Sequence, residues 1–240
     1  MSDDSFILFQ APDFEGVAWQ IAETLGIAPE RLVALAGDAE ASALRGRLDG
    51  LVAAGCRRAI LLVPAAIRAG CEQALAACGA EATGYLDPQA TIAPSAAIAD
   101  TAVIMEKAAI AGRARVGPGA LVDAFAIIGF GTEVGAASWV GAAATLGASV
   151  RVGKGCRIGS GATLSDGISL GDGAMVGPAT ALAHAIPAGA KVDAMRSRPL
   201  TKTTDEIDGS LSVSPYRPIG GDILLDDEMK VQMTRKYYEP

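Results

Sequence analysis

Aromatic side chains are scarce in this chain, at 5% of 240 residues, while Ala and Gly are abundant and half of the residues are hydrophobic. That balance argues against a core built on large rings and for close-packed, repetitive backbone. Positive charge is also short, with 20 Lys and Arg against 27 Asp and Glu and a net charge of −7. No general nucleic-acid-binding surface is expected, and any polyanion site must be locally basic. Cys56, Cys71, Cys78 and Cys156 show no paired metal-ligand spacing and are too few for a disulfide framework, so no metal is expected. The opening MSDDSFILFQ lacks a basic stretch before a cleavable apolar core, and no apolar run is long enough to span a bilayer. A soluble, cytoplasmic protein with no membrane partner is the expectation. The length suffices for two modest domains, each with its own core.

In place of aromatics the sequence has a repeat. From Ile92 to Leu182 an aliphatic residue recurs every six positions, sixteen times without an insertion, as at Val116, Val122, Ile128, Val134 and Val140. The residue four places after each is mostly small, as at Ala114, Ala120, Ala126, Thr132 and Ser138. The residue immediately after is mostly Gly or Ala, as at Gly129, Gly135, Gly141 and Gly147. Neither a helix nor an ordinary strand has a period of six, so the pattern predicts a solenoid.

A triangular parallel β-helix satisfies that pattern. Each hexapeptide supplies one short strand and one tight turn, and three close a coil of eighteen residues. The aliphatic residue points inward, the small residue fits near a corner, and Gly is expected to relieve strain at the turns. Coils stack at the ~4.8 Å spacing of paired strands, so equivalent positions form ladders.

The run from Ile92 to Leu182, closed by AIPAGAKVDAMRSRPL, resembles the left-handed β-helix acyltransferases built of hexapeptide repeats. The resemblance supplies the hand of the helix, which the period alone does not. It also implies an acyl-CoA co-substrate, a small-molecule acceptor and a homotrimer, a state that the many apolar outer positions, Trp139 among them, favour as well.

Upstream, residues 1–88 read as a small Rossmann-like α/β domain. SFILFQ, RLVALAG, RRAILLV and ATGYLD are strand candidates. EGVAWQIAETLG, DAEASALRGRLDGLVAAG and PAAIRAGCEQALAACG are helices between them. That alternation predicts a parallel sheet with helices on its faces. Such a domain, feeding through YLDPQATIAPSA into hexapeptides, resembles the nucleotide-sugar and sialic acid O- and N-acetyltransferases. The expected organisation is an α/β domain at 1–88, a left-handed β-helix at 89–199 and a C-terminal extension at 200–240.

Two features depart from that family. Its first turn is Gly-rich, letting backbone amides approach a sugar nucleotide's phosphates. Here the turn is QAPDFEG, in which Pro12 removes a donor and Asp13 and Glu15 repel a pyrophosphate. The second departure lies in IIGFGTEVG, residues 127–135. The family places a catalytic His two residues after the aliphatic, and Phe130 stands there. A second His that often follows aligns with Trp139. The one histidine, His184, is fifty-four residues on, three coils or ~14 Å away, and reads as a contact near the last coil.

The stretch GALVDAFAIIGFGTEVG is also similar to tetrahydrodipicolinate N-succinyltransferases, which use carboxylates instead of histidine. That resemblance offers Asp123 as the catalytic group and leaves acetyl-CoA and succinyl-CoA both open as donors. The alternative for Asp123 is a turn residue capping its own backbone. For the donor, the resemblance points to Gly147 and Ala148, one coil above Phe130, as backbone contacts to the thioester carbonyl. Lys154, Arg157 and Lys191 are candidates for the CoA phosphates, against ordinary solvated surface. The extension offers a short helix over DDEMKVQMTRKYY, expected to pack on the trimer or on a protein partner. A divergent acyltransferase is the leading expectation. Its rival is a catalytically silent β-helix that binds a ligand or organises partners, because fold alone does not decide between them.

Overall fold

The computed structural model of the chain describes residues 5–10, 13–35 and 41–193. The C-terminal extension, with its expected helix, lies outside the described residues. The apolar segments of the first eighty residues form β1 (Ser5–Gln10), α1 (Glu15–Leu25), β2 (Leu32–Leu35), α2 (Ala41–Ala53), β3 (Arg58–Leu62), α3 (Ala65–Cys78) and β4 (Glu81–Thr83). The four strands are parallel, in the order β2-β1-β3-β4. Strand alternation sends Ile7, Phe9, Ile60 and Leu62 to the α1 side and Phe6, Ala59, Leu61 and Val63 to the side of α2 and α3. Burial on both faces explains why RAILLV is a continuous apolar run.

The stretch ATGYLD, expected to be one strand, is two. A Cβ at Gly84 would sit 2.2 Å from the Ala102 carbonyl oxygen, so only glycine lets the chain pass there from the open sheet onto the solenoid. Tyr85–Leu86 pairs with Val103–Ile104, and solenoid pairing therefore begins ahead of residue 89. Tyr85 is buried and donates to Asp87 Oδ2 at 2.7 Å; burial first, and that bond second, push its pKa up to about 12.

From there two-residue strands stack on three faces of a prism. Face one runs from Tyr85–Leu86 to Lys191–Val192, face two from Thr91–Ile92 to Ala181–Leu182, and face three from Ala97–Ile98 to Ser169–Leu170. Each of the sixteen periodic aliphatics is the second residue of its strand, and those from Ile104 to Leu182 are buried along the axis. The small residues four places on also point inward. Thr132 and Ser138 keep their hydroxyls satisfied there: Thr132 Oγ1 donates to the Gly147 carbonyl at 2.7 Å and accepts from the Val150 amide at 3.1 Å. Ser138 does the same with Gly153 and Cys156.

The role expected for the glycines holds at the turns through Gly119, Gly131, Gly155, Gly161, Gly167 and Gly173, but not for the glycines that follow the aliphatics. The left-handed turn residue is not the one after the aliphatic but the third after it, and at Lys107, Arg113, Phe125, Ala137, Ala143, Ser149 and Ala179 it is not glycine. Each such residue costs about 1 kcal/mol of backbone strain, offset by inter-coil bonds such as Ser149 N–H to the Phe130 carbonyl at 2.8 Å. Glycine after the aliphatic answers coil stacking instead. A Cβ at Gly129 would meet the Gly147 carbonyl oxygen at 2.3 Å.

The α1 side of the open sheet packs on face one, where Tyr85, Val103 and Leu121 join Ile7, Phe9 and Ile21 in one core. Trp139 belongs to that contact. Its ring lies 4.9 Å from that of Phe14, so it is covered within the chain instead of contributing an exposed apolar face. Among the described residues no helix is long and apolar enough to cross a membrane.

Candidate functional site

The three edges of the prism carry different chemistry. On the edge between faces two and three, residues spaced by one coil form two adjacent ladders. One holds Gly112, Phe130, Ala148 and Asp166; the other holds Ser95, Arg113, Gly131 and Ser149. Phe130 projects outward, 52% exposed, with its ring against the guanidinium of Arg113 from the coil below, whose Cζ is 5.6 Å from the ring centroid. Ser95 Oγ accepts the Arg113 amide at 3.2 Å. Phe130, Arg113, Ser95 and Ser149 line an open groove of ≈ 560 Å³ together with Arg115 and Glu133, which pair at 3.6 Å. The period carries the signal for this cluster: Arg113 and Ser149 stand eighteen residues either side of Gly131, next to Phe130. Neighbours along the chain do not reveal it.

Gly147 and Ala148 stand on the same edge, one coil above Phe130. The Gly147 amide donates to the Leu164 carbonyl at 2.9 Å as part of the coil ladder. The Ala148 amide donates to Asp166 Oδ1 at 2.8 Å. Both donors are therefore engaged, and a carbonyl ligand gains the Ala148 amide only when the exposed Asp166 side chain turns away.

Asp123 lies elsewhere, on the edge between faces one and two, so one face of the prism separates it from Phe130. Its Oδ1 accepts the Ala124 amide at 2.8 Å, the self-capping turn that the residue type suggests. Burial pushes its pKa up, against the Ala124 amide and the Trp139 indole, which favour the charged form. The Trp139 Nε1–H is buried and reaches no acceptor in full hydrogen-bond geometry among the described residues.

The basic candidates do not converge on Phe130 within one chain. Lys154 is on the edge between faces three and one, its amide bound to Asp172 Oδ1 at 2.8 Å. Arg157 and Lys191 project from face one. Arg157 is already engaged, 3.4 Å from Asp13 Oδ2 and 4.3 Å above the Trp139 ring. His184 is exposed on the edge between faces two and three, above Asp166 in the same ladder as Phe130. No group of three His, Cys, Asp or Glu side chains converges as a metal site among the described residues.

A second concavity, a cleft of ≈ 180 Å³, opens where the C-terminal ends of β1 and β3 meet the solenoid. Phe14, Leu62, Pro64, Trp139, Arg157 and Met175 line it. In the strand order β2-β1-β3-β4 the chain reverses direction across the sheet between β1 and β3, the position where open α/β sheets hold ligands. The Asp13 turn closes over this end by its contacts to Arg157 and Trp139.

Residues 131–166 match the bacterial transferase hexapeptide (six repeats) family. No curated protein matches the chain by sequence. Among solved structures, a mutant of perosamine N-acetyltransferase from Caulobacter crescentus in complex with CoA and GDP-perosamine superposes with a TM-score of 0.66 at 18% identity, covering 78% of this chain and 93% of that one. The acetyltransferase domain of PglB from Neisseria gonorrhoeae, in complex with acetyl coenzyme A, gives 0.65 at 22% identity, covering 83% and 100%. Residues 131–166 are thus similar to bacterial transferase hexapeptide repeats, and the chain shares its left-handed β-helix fold with the sugar acetyltransferase structures on which it superposes.

Proposed function

We propose that this chain is a CoA-dependent acyltransferase that moves an acetyl or succinyl group to an amine or hydroxyl of a small, sugar-like acceptor, working as a homotrimer. The observation that carries this reading is the groove around Phe130, at the family's base position, with the Ala148 amide one coil above it. The CoA, acetyl-CoA and GDP-perosamine held by structures of the same fold support it.

The acceptor nitrogen or oxygen attacks the thioester carbonyl, the C–S bond breaks as the C–N or C–O bond forms, and the acceptor's proton ends on the departing thiolate. The Ala148 amide polarises the carbonyl once Asp166 has rotated away, a small cost for an exposed hydrogen bond. Phe130 takes no proton. Asp123 is desolvated with its pKa raised, the direction a general base at neutral pH requires. Because it stands across face two from the groove, Asp123 serves as base only when a neighbouring protomer presents it to the groove. The same holds for Lys154 and Lys191 as phosphate contacts and for Arg157 once it releases Asp13. The cleft at the ends of β1 and β3 holds part of the acceptor against Trp139. The turn carrying Asp13 is unsuited to a pyrophosphate, so the acceptor need not be a nucleotide.

Calorimetry with CoA and acetyl-CoA, followed by an assay of thioester cleavage, tests the proposal. Asp123→Asn should lower transfer at least ~10-fold while CoA affinity holds, since general-base catalysis contributes ~10²–10⁴-fold. An active enzyme indifferent to that change removes Asp123 from the mechanism. A second reading, a silent β-helix that binds or organises partners, is favoured by Phe130 itself and by Asp166 on the Ala148 amide. Failure of any CoA species to bind leaves that one standing.

A further inference from the structure

The groove around Phe130 is more cationic than an acetyl group needs. Two guanidiniums, Arg113 and Arg115, and one carboxylate, Glu133, line it. Arg115 and Glu133 neutralise each other at 3.6 Å. The Arg113 guanidinium makes no hydrogen bond or ion pair among the described residues; its neighbour is the face of Phe130. A guanidinium so placed, with the hydroxyls of Ser95 and Ser149 in the same groove, lacks one acceptor-rich anion.

The geometry points to a carboxylate at the far end of the transferred acyl group, as in succinyl, with Arg113 as the residue that selects it. This rests on the acyltransferase reading, in which the thioester carbonyl lies at the Ala148 amide. Phe130 is one coil, ~4.8 Å, below Ala148, and Arg113, from the coil below Phe130 and so two coils below Ala148, sets its guanidinium against the Phe130 ring. In a four-carbon diacid the terminal carboxyl carbon lies three C–C bonds, about 4 Å, from the thioester carbonyl carbon. The two methylenes then run along the Phe130 ring and the carboxylate arrives at the guanidinium. An acetyl group ends about 1.5 Å from the carbonyl carbon and leaves Arg113 unpaired. Phe130 thus acts as a wall for the acyl chain.

Calorimetry on the full chain at low salt, with CoA, butyryl-CoA and succinyl-CoA, isolates the charge, because butyryl and succinyl have the same number of carbons. Succinyl-CoA should bind at least about tenfold tighter than butyryl-CoA, the scale of one charge-assisted pair. Arg113→Gln should bring the two within about twofold, with an unchanged circular dichroism spectrum verifying the fold. Equal binding of succinyl-CoA and butyryl-CoA by the native protein, or a preference that survives Arg113→Gln, overturns the inference while the CoA arm keeps the acyltransferase reading intact. No binding of CoA itself, or of either thioester, overturns both.

Discussion

Faces one and two of the solenoid are built from the same two-residue strands around the same inward aliphatics, yet their outer residues differ. On face one Tyr85, Val103 and Leu121 are buried, and Trp139 is packed against Phe14, because the open sheet and α1 lie over them. On face two the corresponding positions are Thr91, Ala109, Ile127, Thr145 and Thr163, mostly small, with Ile127 47% exposed. The inside of the prism is fixed by its own period. The outside is fixed by whatever covers it, and face two offers a flat, weakly polar surface on which the proposed trimer would pack.

Exchanging inside for outside on a single strand has the largest expected effect. Ile128→Asp places an unpaired carboxylate on the axis and should cost several kcal/mol, enough to unfold the chain in a denaturant titration. A melting temperature within a degree or two of the native value contradicts the inward register. Trp139→Ala comes next. It empties the contact with Phe14 and the seat of Arg157, at an expected ~3 kcal/mol, read as a lower midpoint in urea.

Ile127→Asp, one residue before Ile128, should leave the protomer's fold intact by circular dichroism and lower the mass in light scattering from trimer toward monomer. A trimer that survives moves the interface off face two.

The smallest effect belongs to Asp123. Its folded pKa lies above the ordinary carboxylate value of ~4, so between those two values the folded state binds more protons than the unfolded one. Stability is therefore greatest below that window and falls as pH rises through it. Asp123→Asn keeps an acceptor for the Ala124 amide and removes this slope, so the variant should be slightly more stable than the native chain at neutral pH. Parallel urea titrations at pH 4 and pH 7 measure it.

What the residues disclose beforehand follows the same division. All sixteen aliphatics stand where the period puts them, since each answers only to the coil it belongs to. The helices and strands upstream were legible from their apolar spacing. The cover on Trp139 was not, because it depends on Phe14, more than a hundred residues away, and on a packing that no local pattern encodes. Lys154, Arg157 and Lys191 look like one basic group with Ala148 when read in a line. Winding the chain into a prism sends them to other sides of it. Arg113 has the opposite history: distant from Ala148 in sequence, it shares its edge.

A prism with eighteen residues to the coil has a reading frame. One residue inserted within the run turns every later aliphatic from inside to outside. Six inserted residues restore the core but carry each later ladder around to the next edge. Only a whole coil restores both. An extra coil between Phe130 and Ala148 would move the Ala148 amide ~4.8 Å farther from the Arg113 groove, the length of about four methylenes, and leave the rest of the edge unchanged. Along such an edge, the spacing between groups changes only in whole coils.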